Sequence, residues 1–422
     1  MNLTNFNKEL KKNTIETNIL FILILLYPIS LVIGPALIEI TIFLSLIVSF
    51  FIFKKANLKN FFLKFNYKFI LIFFCITIIS SLLSDNIIIS LKSSFFSIRF
   101  FIFFIIFTLL INKLDKFNEI FFKTSFVFIV ICIFDGYLNL FFNINIFFNE
   151  MKLDGPITGL FFEEKKLGRY LVTLSPILAG LYLINKNENI HFKIIKVFIF
   201  LNIVFLLVLY TSERVSMFYA SFTIFCIIML GLKYSKKYLF FFLVPIIIVI
   251  FLNEFKIKHF NTQIKDSINQ ITNNKKEFSY PSKQHRAFIY TSYKLFTQSP
   301  LFGIGANNYR NSCKQIKYDS VKNCSTHPHN IFFQILAETG ILGTIIYIYF
   351  LLVIIIKLMS FVIIKNNLNT NIFFLLPVFY FFNPFFPSGN FFNNWFMAIG
   401  TFGIPFYLYF NEKKFKFHKQ FI

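Results

Sequence analysis

Apolar runs of membrane-spanning length recur through almost the whole chain. A helix needs about 20 mostly apolar residues to cross the hydrocarbon core of a bilayer. Runs meeting or approaching that length lie near residues 18–34, 36–53, 68–83, 95–111, 120–142, 168–185, 195–211, 214–231, 238–252, 331–356, 370–382 and 394–410. The shortest, 370–382, suits an extended or re-entrant segment as well as a span. Lipid-exposed backbone must satisfy its own hydrogen bonds, so these runs predict helices. The residues are 56% hydrophobic and 21% aromatic, with only 14% charged. Soluble domains carry about 25% charged residues, so too few are present to coat a water-facing surface. The expectation is an all-α polytopic membrane protein with about 12 transmembrane helices.

Charge distribution orients the spans. Lys and Arg number 42 against 19 Asp and Glu, a net charge of +23. On a soluble chain that excess would suggest nucleic acid. Here the basic residues sit between apolar runs, which excludes nucleic acid as a partner and reads as topology. With the N-terminus inside, lysines cluster in the connections at 54–68, 113–123, 186–196, 233–237 and 357–365 and in the tail at 413–419. The outer connections at 84–94, 211–214 and 383–393 hold only Lys92 and Arg214. The positive-inside rule therefore puts both termini in the cytoplasm. The first apolar run lacks a small-residue cleavage pattern and reads as a retained span. Residues 1–252 form a membrane bundle of nine spans, 253–330 one large, partly helical outer loop, and 331–422 the last three spans. Around 283–298, Phe288, Tyr293 and Phe296 sit near helical spacing.

Five cysteines separate by environment. Cys75, Cys132 and Cys226 lie in apolar spans and read as inert packing residues. Cys313 and Cys324 are eleven positions apart in the outer loop. In an oxidising compartment they read as a disulfide rather than two free thiols, pinning the segment that leads into a histidine pair.

That pair carries the chemistry. The chain reads Ser325-Thr326-His327-Pro328-His329-Asn330 just before the run at 331, followed by Gly340-Ile341-Leu342-Gly343. Asn330 suits a helix cap, and the helix start it caps favours an anion. A histidine can accept a proton near neutral pH. Taken alone, the segment reads equally as a cap with incidental histidines.

His329-Asn330 followed nine residues later by Gly340-x-x-Gly343 resembles the signature of the O-antigen ligase and O-antigen polymerase family, bacterial inner-membrane glycosyltransferases with about a dozen spans and one large periplasmic loop. Thr211-Ser212-Glu213-Arg214-Val215-Ser216 resembles that family's short outer loop with a functional arginine. His285-Arg286-Ala287-Phe288-Ile289 and Ser299-Pro300-Leu301-Phe302-Gly303-Ile304-Gly305 resemble its arginine helix and glycine turn, and Gly159 to Gly168 an earlier segment. The resemblance runs from about 155 to 345. It implies transfer of a glycan from an undecaprenyl diphosphate carrier to an acceptor hydroxyl, on the lipid A core or a growing surface polysaccharide, at the periplasmic face. It assigns His329 as general base and Arg214 and Arg286 to the donor diphosphate. His327, Asn330, Lys165, Arg169 and Arg310 are supporting candidates. No cofactor is implied, and the partners are the lipid-linked donor, the acceptor and membrane lipids.

Metal chemistry finds no support. No Asp-x-Asp pair occurs, the histidines lack nearby carboxylates for a hard cation, and no third and fourth zinc ligand stands at useful spacing. Gly303-x-Gly305 lacks the Lys-Ser/Thr of a phosphate-binding loop and reads as a turn. Glu39, Arg99 and Asp135 fall inside predicted spans, where ionisable residues usually mark a cavity, although Arg99 could also snorkel. The competing class is an inner-membrane transporter or flippase of polysaccharide or lipid-linked sugar. Such transporters often show paired halves with broken helices, and no internal repeat is visible. A non-catalytic scaffold of polymer assembly is the third reading.

Overall fold

The computed structural model describes residues 13–53, 67–114, 116–147, 156–162, 164–185, 188–247, 283–318, 323–364 and 368–419. Among them there is no strand. The helices are α1 (Ile15–Ile33), α2 (Pro35–Phe53), α3 (Tyr67–Leu82), α4 (Ile87–Lys113), α5 (Phe117–Phe142), α6 (Leu167–Ile184) and α7 (Ile190–Val208). They continue with α8 (Arg214–Leu232), α9 (Lys283–Gln298), α10 (Ile331–Ile363), α11 (Ile372–Phe382), α12 (Asn394–Gly400) and α13 (Ile404–Lys419).

Eight of these are long and apolar enough to cross a membrane: α1, α2, α4, α5, α6, α7, α8 and α10; α3 and α11 contain shorter apolar helices. This is a multi-pass membrane protein with eight long apolar helices among the described residues, against twelve expected spans. Two expected spans differ in kind. Of the 238–252 run, residues 238–242 belong to a 3-10 helix that starts at Lys236, 243–247 are α-helical, and 248–252 lie outside the described residues. The 394–410 run is broken between α12 and α13. Most of the expected outer loop at 84–94 is helix, because α4 starts at Ile87. Its 27 residues extend about 40 Å at 1.5 Å per residue, longer than the ~30 Å hydrocarbon core. The lysines of 54–66 and residues 253–282 of the large loop lie outside the described residues.

Consecutive helices pair as hairpins (α1 with α2, α3 with α4, α7 with α8), while α6 packs on α11 and α13 on α4. Lipid offers apolar groups the same environment as the interior, so van der Waals fit and interhelical hydrogen bonds hold such a bundle together. The core is built on large fully buried rings such as Phe21, Phe103, Phe107 and Phe121. Side chains of one half bond to carbonyls of the other. Tyr27 Oη donates to Ala398 O at 3.1 Å, Trp395 Nε1 to Leu31 O at 2.8 Å and Tyr219 Oη to Tyr380 O at 3.1 Å.

Helix α9 is amphipathic and packs across the start of α10. Ala287, Phe288, Thr291, Ser292 and Leu295 form its buried face. Of the three aromatics near helical spacing, Phe288 belongs to this face, whereas Tyr293 is 52% exposed. Cys313 and Cys324 are disulfide-bonded beneath this helix, in a small cluster with Leu295, Tyr309 and Ala337.

Candidate active site

Helix α10 has two parts. Gly340, at φ 64° and ψ −164°, interrupts the helical backbone, and the turn at 299–305 plugs the gap. The N–H groups of Ile304 and Gly305 donate to the carbonyls of Ala337 and Glu338 at 2.9 and 3.1 Å, and the N–H of Ile341 donates to Pro300 O at 2.9 Å. Gly303, at φ 72°, and Gly340 face each other with no room for a Cβ: one on Gly303 would lie 2.5 Å from Glu338 C, one on Gly340 2.4 Å from Leu301 O. Both glycines are therefore required by contact as well as by conformation. The glycine turn and the Gly340 motif are two halves of one joint, which fixes the short helix 331–339.

Asn330 begins that helix. Its Oδ1 accepts the Phe333 N–H at 3.2 Å and its Nδ2 donates to Pro384 O at 2.7 Å. His329 precedes it at φ 54°, a left-handed conformation uncommon in residues other than glycine and associated with functional sites. The Ser388 N–H holds it there, donating to the His329 carbonyl at 2.9 Å.

The imidazoles cluster, with their planes tilted to one another. His327 and His329 have centroids 4.1 Å apart, Phe288 lies 5.3 Å from His329 and His285 6.3 Å. His327 Nε2 faces Ser388 O at 3.2 Å; a carbonyl only accepts, so Nε2 carries the proton and Nδ1 receives the Thr326 hydroxyl at 3.0 Å. Burial, then the neighbouring His329 and the charges of Arg310 and Arg169, push His327 down to about 4. His329 is also lowered from 6.5, first by burial and then by His285. At neutral pH both rings are uncharged, and His329 can accept a proton. Its Nε2 is 3.3 Å from Ser325 Oγ.

The basic candidates fall on different elements. Arg286 lies on α9 beside His285, and Arg214 opens α8; both are exposed. Arg169 is half-buried on the first turn of α6, its guanidinium 5.0 Å from the Phe396 ring, and its charge reaches His327. Lys165 is exposed; the next residue, Lys166, lies over the Trp395 ring at 5.0 Å. Arg310 donates to Asn307 Oδ1 at 3.2 Å. Glu163 lies outside the described residues.

Two acidic residues organise this region without having been singled out in the sequence. Glu213 accepts the N–H groups of Gly168 and Arg169 at 2.7 and 3.1 Å and the Ser216 hydroxyl at 3.0 Å. Burial raises its carboxyl above the ordinary range, opposed mainly by Arg169. It caps α6 and so aims Arg169. Glu213→Ala should lower stability by about 1–2 kcal/mol and Glu213→Gln by less; an unchanged melting temperature in the alanine variant would refute the capping role. Glu338, fully buried, accepts the Tyr309 N–H at 2.9 Å and Gln334 Nε2 at 3.0 Å. A carboxylate inside an apolar run is itself a signal of function and could have drawn attention to it.

The ionisable residues in spans resolve simply. Arg99 pairs with Glu39 at 2.6 Å, and Asp135 Oδ1 accepts the Ile146 N–H at 2.6 Å. No group of three or more His, Cys, Asp or Glu that could hold a metal occurs among the described residues.

Residues 198–348 match the family model described as O-antigen ligase. The matched stretch contains Arg214, α9, the glycine turn, the histidine pair and the Gly340 joint. It supports the resemblance to the O-antigen ligase and polymerase family. No curated protein and no solved structure matches the chain.

Proposed function

On the premise that the chain carries an O-antigen ligase domain over residues 198–348, we propose that it transfers a glycan from an undecaprenyl diphosphate carrier to an acceptor hydroxyl at the periplasmic face. The observation that carries this reading is the ring cluster of His327, His329, His285 and Phe288, which joins the histidine motif to the arginine helix. In support, Arg214 and Asn330 stand at the starts of α8 and α10, whereas Lys233 and Lys357 lie at or toward the other ends of these helices, which fits the site to the face expected outside.

In the proposed step the acceptor oxygen bonds to the anomeric carbon as that carbon's bond to the diphosphate oxygen breaks. The acceptor proton passes to His329, a neutral base suited to neutral pH. The lipid diphosphate leaves with the bonding electrons, and its growing charge is met by Arg214 and Arg286, with Arg169 in support. A single displacement inverts the anomeric centre. The step uses protein groups alone and no metal.

Removing one such donor to a developing charge typically lowers turnover about 10²–10³-fold. Arg286→Ala and Arg214→Ala should each approach that loss in a transfer assay, with Arg→Lys recovering part of it. Transfer at the wild-type rate by either normally expressed alanine variant would remove that arginine from the donor site. The glycan profile of a deletion strain separates the two acceptor classes: loss of long chains from lipid A marks a ligase, and single capped repeats mark a polymerase.

A further inference from the structure

Glu338 is the acidic residue of the short helix 331–339, and it is fully buried. Both of its oxygens are engaged: one accepts the Tyr309 N–H at 2.9 Å and the other Gln334 Nε2 at 3.0 Å. The same Gln334 nitrogen donates to Asn390 Oδ1 at 2.6 Å, while Gln334 Oε1 accepts the Phe391 N–H at 2.9 Å. Asn390 Oδ1 also accepts the Phe392 N–H at 3.0 Å, so its Nδ2 points the other way and donates to Asn307 Oδ1 at 2.9 Å. That oxygen receives Arg310 as well, at 3.2 Å. Three amides therefore connect a buried carboxylate to an exposed guanidinium.

Both ends dictate the direction of this relay, because a carboxylate only accepts and a guanidinium only donates. Gln334 must show its nitrogen to Glu338, Asn390 its oxygen to Gln334, and Asn307 its oxygen to Asn390 and Arg310. An amide at position 338 would still accept the Tyr309 N–H but would face Gln334 with a second donor. Gln334 would have to turn, and the reversal would pass along the chain until Asn307 met Arg310 nitrogen to nitrogen. Buried polar networks act as units in this way. Arg310 follows Tyr309 on the turn Tyr309–Ser312. After burial and His329, its charge adds to what keeps His327 neutral, and a guanidinium there also favours an anionic group of the substrate. We propose that Glu338 is a positioning residue for glycan transfer: it sets the direction of the Gln334–Asn390–Asn307 relay and so holds the Arg310 guanidinium within reach of the histidine site. Being fully buried, it touches no substrate itself. This inference rests on the transferase reading above and extends its machinery to a carboxylate inside α10.

A double-mutant cycle tests it, on transfer by the full-length protein in vesicles with an undecaprenyl-diphosphate-linked glycan and acceptor glycolipid. Glu338→Gln and Arg310→Ala should each lower kcat/KM by about tenfold or more, with the same division between kcat and KM. On the Arg310→Ala background, Glu338→Gln should cost less than about a further twofold, because the group it positions is gone. A purely structural defect would multiply with the Arg310 loss instead. That result, or wild-type transfer by Glu338→Gln, would overturn the proposal. A second pair of variants probes the outer end of the relay without touching the buried carboxylate. Asn307→Gly suits the left-handed backbone at φ 57° and removes the oxygen, so it should match the Arg310→Ala loss. Asn307→Asp accepts from Asn390 and Arg310 alike and should recover most of that loss; the Ser93 hydroxyl, which receives Asn307 Nδ2 at 3.2 Å, can donate to it instead. Equal loss in the glycine and aspartate variants would also overturn the relay. The transferase reading fails by a different result: no new glycosidic bond from wild type, or undiminished transfer by His329→Ala.

Discussion

Replacing His329 by alanine is expected to reduce glycan transfer by 10²–10⁴-fold, the range that general acid–base catalysis contributes, without loss of the folded protein. The left-handed backbone there accepts the Ser388 N–H through its own carbonyl, a contact that alanine keeps. Alanine therefore removes the base and leaves the joint. The pH profile gives a second readout. His329 acts in its neutral form, and burial and His285 hold its proton affinity below the ordinary 6.5. Wild-type activity should stay level from neutral pH to below 6.5 and then fall as the ring protonates. His327 protonates only near 4 and His285 is itself lowered by burial, so neither adds a limb above 6.5. Measured kcat/KM against pH, for wild type and for His329→Ala, checks both statements. An acid limb retained in the alanine variant would move the base to another residue.

The second large effect belongs to the Gly303–Gly340 joint. Gly303→Ala sets a Cβ 2.5 Å from backbone atoms of Glu338 and Thr339, at a backbone φ of 72°. Backbone cannot step aside as a flexible side chain can, so the 299–305 turn must leave the gap in α10. A loss on the order of 2–4 kcal/mol is expected, and Gly340→Ala should cost about the same. Because both changes break one joint, the double variant should be less destabilised than the sum. Melting curves in detergent measure all three. The freed turn also releases the 331–339 helix that carries Asn330, so transfer should fall with stability. Melting within a degree of wild type for either single variant would contradict the joint.

Much of this architecture was legible because its signals are local. Apolar length locates the long helices, Asn330 before an apolar run marks a cap, and the bounds of α9 follow from its residues 283–298. What stayed hidden depends on partners distant in sequence. The run at 331–356 reads as one span because the break at Gly340 is stabilised by residues some 35–40 positions earlier. The face that α9 buries was not legible from spacing alone: Tyr293 remains exposed, whereas Phe288 and Leu295 are joined by small residues such as Ala287 and Ser292 in the contact. Residues 84–94 look like a loop from Asp85, Asn86 and Lys92, yet Ser90 and Ser94 are fully buried, Ser94 within hydrogen-bond reach of Ser81 at 2.7 Å. Among the candidate site residues, the histidines and Asn330 announced themselves by clustering. Glu213 did not, since its role lies in the N–H groups it accepts, and Glu338 gave only the signal of a carboxylate within an apolar run.

The central claim is bond formation, and one reconstitution tests it most directly. Purified protein is placed in vesicles with a labelled undecaprenyl-diphosphate-linked glycan and acceptor glycolipid, and the products are resolved by mass spectrometry. The account predicts a new glycosidic bond to the acceptor and one undecaprenyl diphosphate released per glycan transferred, both lost in His329→Ala. Movement of intact labelled donor between leaflets, with no new bond and equally well in the His329 variant, would contradict it.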